Sequence, residues 1–190
     1  MSFSSDVKNE IVASLDNSRK QRLCYILGML CFGGKLINFE DTVRLRFSTE
    51  NPKIARKFYT IIKNEFSIKA KLTIHKTKKT ILYMVAVDDE KYIEELFYIT
   101  GLLKRGTSIK DFISYGISPS VMSNADYRKA FIKGAFLGGA SISDPQKTSH
   151  VEFVTSHYRL SRDFAKLLEK SELKPKTVVR KSNYVIYFKR

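Results

Sequence analysis

The chain has 190 residues, with 34 Lys plus Arg against 19 Asp plus Glu, a formal net charge of +15 and a pI near 9.8. Hydrophobic content of 43% and aromatic content of 12% exclude a disordered chain, and the length buries a sizeable core without disulfide or metal staples. The positive excess points to a polyanionic partner, most simply nucleic acid, with a solvated surface as the bland alternative.

The opening MSFSSDVKNEIVASL carries acids and no long apolar core, which argues against a signal peptide. No apolar run approaches the ~20 residues of a bilayer span, so a cytoplasmic protein without membrane contact is expected. DVKNEIVASL reads as an amphipathic helix with Val7, Ile11 and Leu15 (or Val12) on one face and Ser5 as its N-cap. A second helix starts near Arg19 and runs through RLCYILGMLCFGG. It holds the only two cysteines, Cys24 and Cys31, seven residues apart. That separation is about 10 Å of helix rise, beyond disulfide reach, so both are expected as buried free thiols.

TVRLRFST alternates Val43, Leu45 and Phe47 with Arg44, Arg46 and Ser48, a half-buried strand with a basic outer face. NPKIARKFYTIIKNEF follows as a helix, with Asn51 as N-cap, Pro52 at its first position and Ile54, Phe58, Ile61 and Ile62 at helical spacing. KAKLTIHK and ILYMVAVD read as two strands around the turn TKKT, and EKYIEELFYITGLL as a helix.

Much of this recurs at a constant offset of 106: Gly28 falls on Gly134, Gly33 on Gly139, Phe47 on Phe153, Ile54 on Leu160, Arg56 on Arg162 and Phe58 on Phe164. The hairpin recurs after a small slip as PKTVVRKS and NYVIYFKR. The expected organisation is helix, strand, helix, strand, strand, helix, written twice in one α+β domain over residues 1–190. Repeat one covers about 19–104 and repeat two about 125–190, joined by a partly packed linker near 105–124. Repeat two stops before a counterpart of EKYIEELFYITGLL, so either the second half is natively shorter or the chain is a fragment, and the fragment is the expected reading.

A glycine inside a helix costs roughly 1 kcal/mol against alanine, and each repeat carries one in its most apolar helix. Gly28 and Gly134 are expected to let two copies of that helix bring their backbones together. ILGMLCFGGKL (26–36) and IKGAFLGGASI (132–142) resemble the motif of the LAGLIDADG homing endonucleases. More closely, MSFSSDVKNE, RKAFIKGAFLGGASISDP and HVEFVTS resemble the N-terminal domain of the WhiA sporulation and cell-division regulators, across essentially the whole chain. The resemblance implies two saddle-shaped antiparallel sheets that grip duplex DNA, a pair of motif helices at the centre, and a C-terminal helix-turn-helix domain that this chain lacks. It also implies a transcription regulator associated with the nucleoid, with transcription machinery or its own helix-turn-helix domain as further partners.

In the endonucleases an acid at the end of each motif helix helps hold catalytic metal. The aligned positions here are Gly33 and Gly139, and the motif's other acid position falls at Cys31 and Leu137. None is a carboxylate, and metal-assisted cleavage needs closely placed ligands; Asp144, Glu40 and Asp41 lie at unequal offsets and form no symmetric pair. No catalytic residue, metal ligand or cofactor is expected, and His75, His150 and His157 stand in no metal-ligand spacing. The expected DNA contacts are Arg44, Arg46, Lys69 and Lys71 on the strands of repeat one, with Lys76, Lys78 and Lys79 at its hairpin turn. Repeat two offers Lys174, Lys176, Arg180, Lys181 and Lys189. Arg46 aligns with Glu152 and Arg44 with His150, so the second grip is weaker. A protein-interaction scaffold that leaves DNA alone is the standing alternative, and an active endonuclease the remote one.

Overall fold

The computed structural model describes the chain apart from Met1, Asp16, Asn17, Asp111, Phe112, Ser114, 145–149 and Arg190, and apart from the side chain of Lys189. In chain order the elements are α1 (Phe3–Ala13), α2 (Arg19–Gly33), β1 (Gly34–Phe39), β2 (Thr42–Thr49), α3 (Pro52–Phe66), β3 (Lys71–Lys76), β4 (Ile81–Val87), α4 (Glu90–Thr100), α5 (Pro119–Ser123), α6 (Ala125–Gly139), β5 (Ala140–Ile142), β6 (His150–Thr155), α7 (Tyr158–Lys170), β7 (Lys176–Arg180) and β8 (Asn183–Lys189). They fall into two compact units: an inserted unit, Gly33–Ser114, and a discontinuous unit, Met1–Phe32 with Tyr115–Arg190. The division cuts across the sequence repeat, because α2 packs within the discontinuous unit.

The inserted unit is a four-stranded antiparallel sheet in the order β1-β2-β4-β3. β1 was not expected: GKLINF follows the helix without a break and buries little, so its alternation is faint. Val43, Leu45 and Phe47 of β2 face the helices, where Phe47 stacks on Phe58 of α3 at 4.4 Å and 19°. α3 keeps the predicted cap, with the Asn51 side chain accepting from Lys53 N (2.9 Å) and Ile54 N (3.3 Å) and Pro52 opening the helix. Burying Ile54, Phe58, Ile61 and Ile62 stabilises this layer by roughly 1.5–3 kcal/mol per side chain. α4 ends at Gly101 in the left-handed region, φ 79°, the conformation a C-terminal glycine adopts without strain.

The discontinuous unit repeats the pattern as β5-β6-β8-β7. Its extra strand, β5, has three residues and was likewise unexpected. Phe153 of β6 packs edge-on to Phe164 of α7 (4.8 Å) and Phe32 of α2 (5.9 Å). α2 has an unbroken buried run from Cys24 to Cys31, so its sequence shows almost no amphipathic stripe. α1 is capped by Ser2, whose Oγ accepts from Ser5 N at 3.3 Å, so Ser5 is the recipient of the cap. Leu15, beyond the helix, carries the burial expected of its face.

Within this unit the glycines act as expected. A Cβ on Gly28 would meet the carbonyl oxygen of Phe131 and lie 2.6 Å from Ala135 N. One on Gly134 would meet the carbonyl oxygen of Tyr25 and lie 2.8 Å from Tyr25 C. Real Cβ atoms do not approach backbone this closely, so α2 and α6 touch at this distance only because both positions are glycine. Cys24 and Cys31 are buried free thiols; burial pushes the Cys24 thiol up to about 11 and raises Cys31 further.

In the linker Ile109, Ile117 and Val121 are buried, and Glu94 accepts from Ile109 N at 3.1 Å. His157 occupies the N-cap of α7 without a side-chain cap bond and lies flat on Tyr115, ring centroids 3.8 Å apart and 11° from parallel. Burial pushes the Tyr115 phenol up to about 12 and holds the His157 imidazole below its ordinary range.

Candidate functional site

β2 alternates because its odd residues pack on helices, which leaves its even residues on the opposite, outer face of the sheet. The antiparallel register then assembles a row that spacing alone cannot reveal. Lys35 of β1 pairs with Arg46 of β2, Arg46 with Ala86 of β4, and Ala86 with Lys71 of β3. Three cations therefore cross all four strands on one face, around a small central residue. Arg44 joins them, its guanidinium 3.9 Å from the centroid of the Phe39 ring, which orients the fork and leaves its donors available.

Asp88, just past β4, tempers this face. It binds Arg46 Nη2 at 2.7 Å and Lys71 Nζ at 3.5 Å. Partial burial would raise its pKa, but the hydrogen bonds and charges of Arg46 and Lys71 hold it below the ordinary carboxylate value. Arg46 also donates from Nη1 to its neighbour's carbonyl, Leu45 O, at 2.9 Å. Lys35 makes no ion pair among the described residues.

The corresponding row of the discontinuous unit is Ser141 of β5, Glu152 of β6, Tyr187 of β8 and Lys176 of β7. Glu152 takes the place of Arg46, and its Oε1 meets His150 Nε2 at 2.6 Å and Arg180 Nη1 at 2.9 Å. The His150 hydrogen bond chiefly, with help from Arg180, holds the Glu152 carboxyl below its usual range. The one carboxylate thus engages both neighbouring bases of its face.

The other candidate residues scatter. Lys69 precedes β3 and is exposed; Lys76 ends β3 at a register position of the opposite parity; Lys78 and Lys79 lie in the exposed turn closed by Thr77 N donating to Thr80 O at 2.9 Å. Lys174 lies ahead of β7, and Lys181 is in the β7–β8 turn with φ 46°. Lys189 stands opposite His150 in the register, its side chain outside the described residues. Two members of the faces were not picked from sequence, Lys35 and Asp88.

At the motif's acid positions, a Cβ on Gly139 would lie 2.5 Å from the carbonyl oxygen of Phe32. A carboxylate side chain cannot be accommodated there without moving backbone. Among the described residues no three His, Cys, Asp or Glu side chains gather as a metal-binding group, and no described helix is long and apolar enough to cross a membrane.

The chain matches two family models, the WhiA N-terminal LAGLIDADG-like domain over residues 19–103 and the WhiA LAGLIDADG-like domain over residues 128–190. The probable cell division protein WhiA of Clostridium perfringens (strain SM101 / Type A) is 40% identical over 198 residues, covering 100% of this chain and 60% of the relative. The protein of the same description in Clostridium beijerinckii is 36% identical, with 100% and 61% covered. The chain thus spans about three-fifths of the length of these relatives. In structure it is similar to full-length DUF199/WhiA from Thermatoga maritima, with a TM-score of 0.71 at 18% identity, covering 100% of this chain and 58% of that one. It is also similar to the homing endonuclease I-DmoI in complex with DNA and Mn, with a TM-score of 0.59 at 16% identity and 90% of each chain covered. These two likenesses establish the α+β LAGLIDADG-like fold. Two domain models of one family cover most of the chain and full-length relatives agree with both: the chain belongs to the WhiA family, as its LAGLIDADG-like part.

Proposed function

We propose that this chain is a non-cleaving, duplex-DNA-binding domain of a bacterial regulator of cell division and sporulation that acts in transcription at the nucleoid. The observation that carries the reading is the row Lys35–Arg46–Lys71 with Arg44 beside it, on the outer face of the inserted unit's sheet. Cations in that arrangement neutralise phosphates, and arginine on a strand is suited to pairing bidentately with guanine. Failure to cleave follows from the motif positions: Gly33 and Gly139 supply no carboxylate, and at Gly139 the Phe32 carbonyl leaves no room for one. Further partners are the regulator's helix-turn-helix domain and transcription machinery.

A second reading, a scaffold that binds protein and leaves DNA alone, draws on the discontinuous unit, whose Glu152 satisfies His150 and Arg180 internally. One gel separates the readings. Labelled duplex is titrated with the purified chain and Mg²⁺ across a salt series. The expected result is a salt-sensitive shift with intact DNA; no shift at low salt favours the scaffold, and a nick rejects the non-cleaving assignment.

A further inference from the structure

The inserted unit carries a second cationic surface, on the side away from the outer face of its sheet. α3 packs its apolar side on that sheet through Ile54, Phe58, Ile61 and Ile62. At 100° per residue, Lys53, Arg56, Lys57 and Lys63 fall along the opposite arc, with Thr60 and Asn64 between them. Lys53, Arg56 and Lys63 are exposed and Lys57 is half-buried. None of the four is in an ion pair among the described residues. The helix's one acid, Glu65, is half-buried and lies outside this arc.

Across the repeat this surface diverges in charge as the sheet face does, with Lys57 and Lys63 falling on Asp163 and Glu169. At the offset of 106, Lys53 and Arg56 fall on Arg159 and Arg162, while Arg44 and Arg46 fall on His150 and Glu152. In α7, however, Asp163 draws in both arginines, at 3.8 Å from Arg159 and 3.7 Å from Arg162. The uncompensated stripe is therefore that of α3.

We infer that the solvent face of α3 is a sequence-independent contact surface for the phosphate backbone of a second DNA duplex, so that the chain bridges two segments. This rests on the outer sheet face holding the first. The chemistry favours DNA backbone over an acidic protein. Lysine is depleted at the cores of protein interfaces, which are anchored by aromatic or apolar groups. The α3 arc presents no exposed large apolar side chain. A helix is about 10 Å thick, more than the Debye length of about 8 Å at physiological salt, so the two surfaces act independently.

The test loads the chain onto bead-bound duplex at physiological salt, washes, and adds a fluorescent duplex of unrelated sequence. Wild type is expected to capture the second duplex. The variant Lys53→Gln/Arg56→Gln/Lys57→Gln/Lys63→Gln should hold the first within about threefold and lose capture by about tenfold or more, as expected for removing several phosphate contacts. Circular dichroism checks its fold, and light scattering its oligomeric state. Equal capture by wild type and variant overturns the inference, whether through self-association or another surface. Retention of the first duplex by wild type with no capture of the second also overturns it and leaves the sheet-face reading intact. Failure of wild type to hold the first duplex rejects the sheet-face reading, and the bridge with it. Loss of the first duplex in a correctly folded variant makes α3 the primary site and overturns the two-surface arrangement.

Discussion

The two sheets share a strand order and differ in the charge they present. Across the inserted unit the outer row reads Lys35, Arg46, Ala86, Lys71; across the discontinuous unit it reads Ser141, Glu152, Tyr187, Lys176. One row carries three cations around a small residue, the other a cation and an anion around a bulky one. The same backbone register therefore supports a strongly cationic surface in one unit and a largely self-neutralised one in the other. Fold is held by residues that the repeat keeps, such as Gly28 and Gly134, or Phe47 and Phe153. The proposed DNA contacts lie in the outward positions, where the repeat has diverged.

The largest expected effect tests the shared part. Gly134→Leu drives a side chain into the Tyr25 carbonyl; overpacking of this kind costs about 3 kcal/mol, which lowers Tm by about 6–12 °C for a chain of this size. An unchanged melt would remove the glycine contact from the account.

Exchanging the diverged residues comes next. Arg46→Glu gives the inserted unit its counterpart's acid, and duplex affinity at 0.1 M salt should fall about tenfold, the scale of one lost phosphate contact with a slope near 0.9. Glu152→Arg, the reciprocal change, should raise affinity by about threefold to tenfold on the same scale. If both changes act alike, the faces do not differ in the way described. A smaller gain is expected from Asp88→Asn, which releases Arg46 and Lys71: about twofold tighter binding and a steeper salt dependence, read by fluorescence anisotropy.

The smallest effect concerns the helix caps. Asn51 and His157 are equivalent at the offset of 106, but Asn51 caps α3 and His157 only stacks on Tyr115. Burial holds the His157 pKa down, so the unfolded chain takes up that proton more readily. Stability should therefore decline as pH falls through the unfolded value of about 6.5 and stop declining below the folded one. Thermal melts from pH 8 to 5 should show this loss in wild type and a flatter profile in His157→Phe, which keeps the stack. Asp88 and Glu152 act in the same sense over a lower pH range: their depressed folded values give a contribution that is present above their ordinary carboxylate range and lost as pH falls through the folded values.

Helix α3 was legible because its cap, proline and apolar spacing agree, and β2 because its alternation is clean. β1 and β5 were not. One opens without a break after a helix and buries little, and the other is three residues long. The close approach at Gly28 and Gly134 could be read from repeat and motif together, while the contact of Gly139 with Phe32 needed coordinates. Arg44, Arg46 and Lys71 could be picked by parity. Lys35 and Asp88 could not, because which residues stand side by side across strands depends on register, and register is set by the packed sheet.

The central claim is tested most directly by the salt dependence of duplex binding in three proteins: wild type, Lys35→Gln/Arg46→Gln/Lys71→Gln, and Lys176→Gln. At about 0.9 per phosphate contact, the triple variant should lose nearly three from the slope of log K against log salt, and Lys176→Gln no more than about one. A slope unchanged in the triple variant, or lost more fully in Lys176→Gln, would contradict the assignment of the grip to the inserted unit.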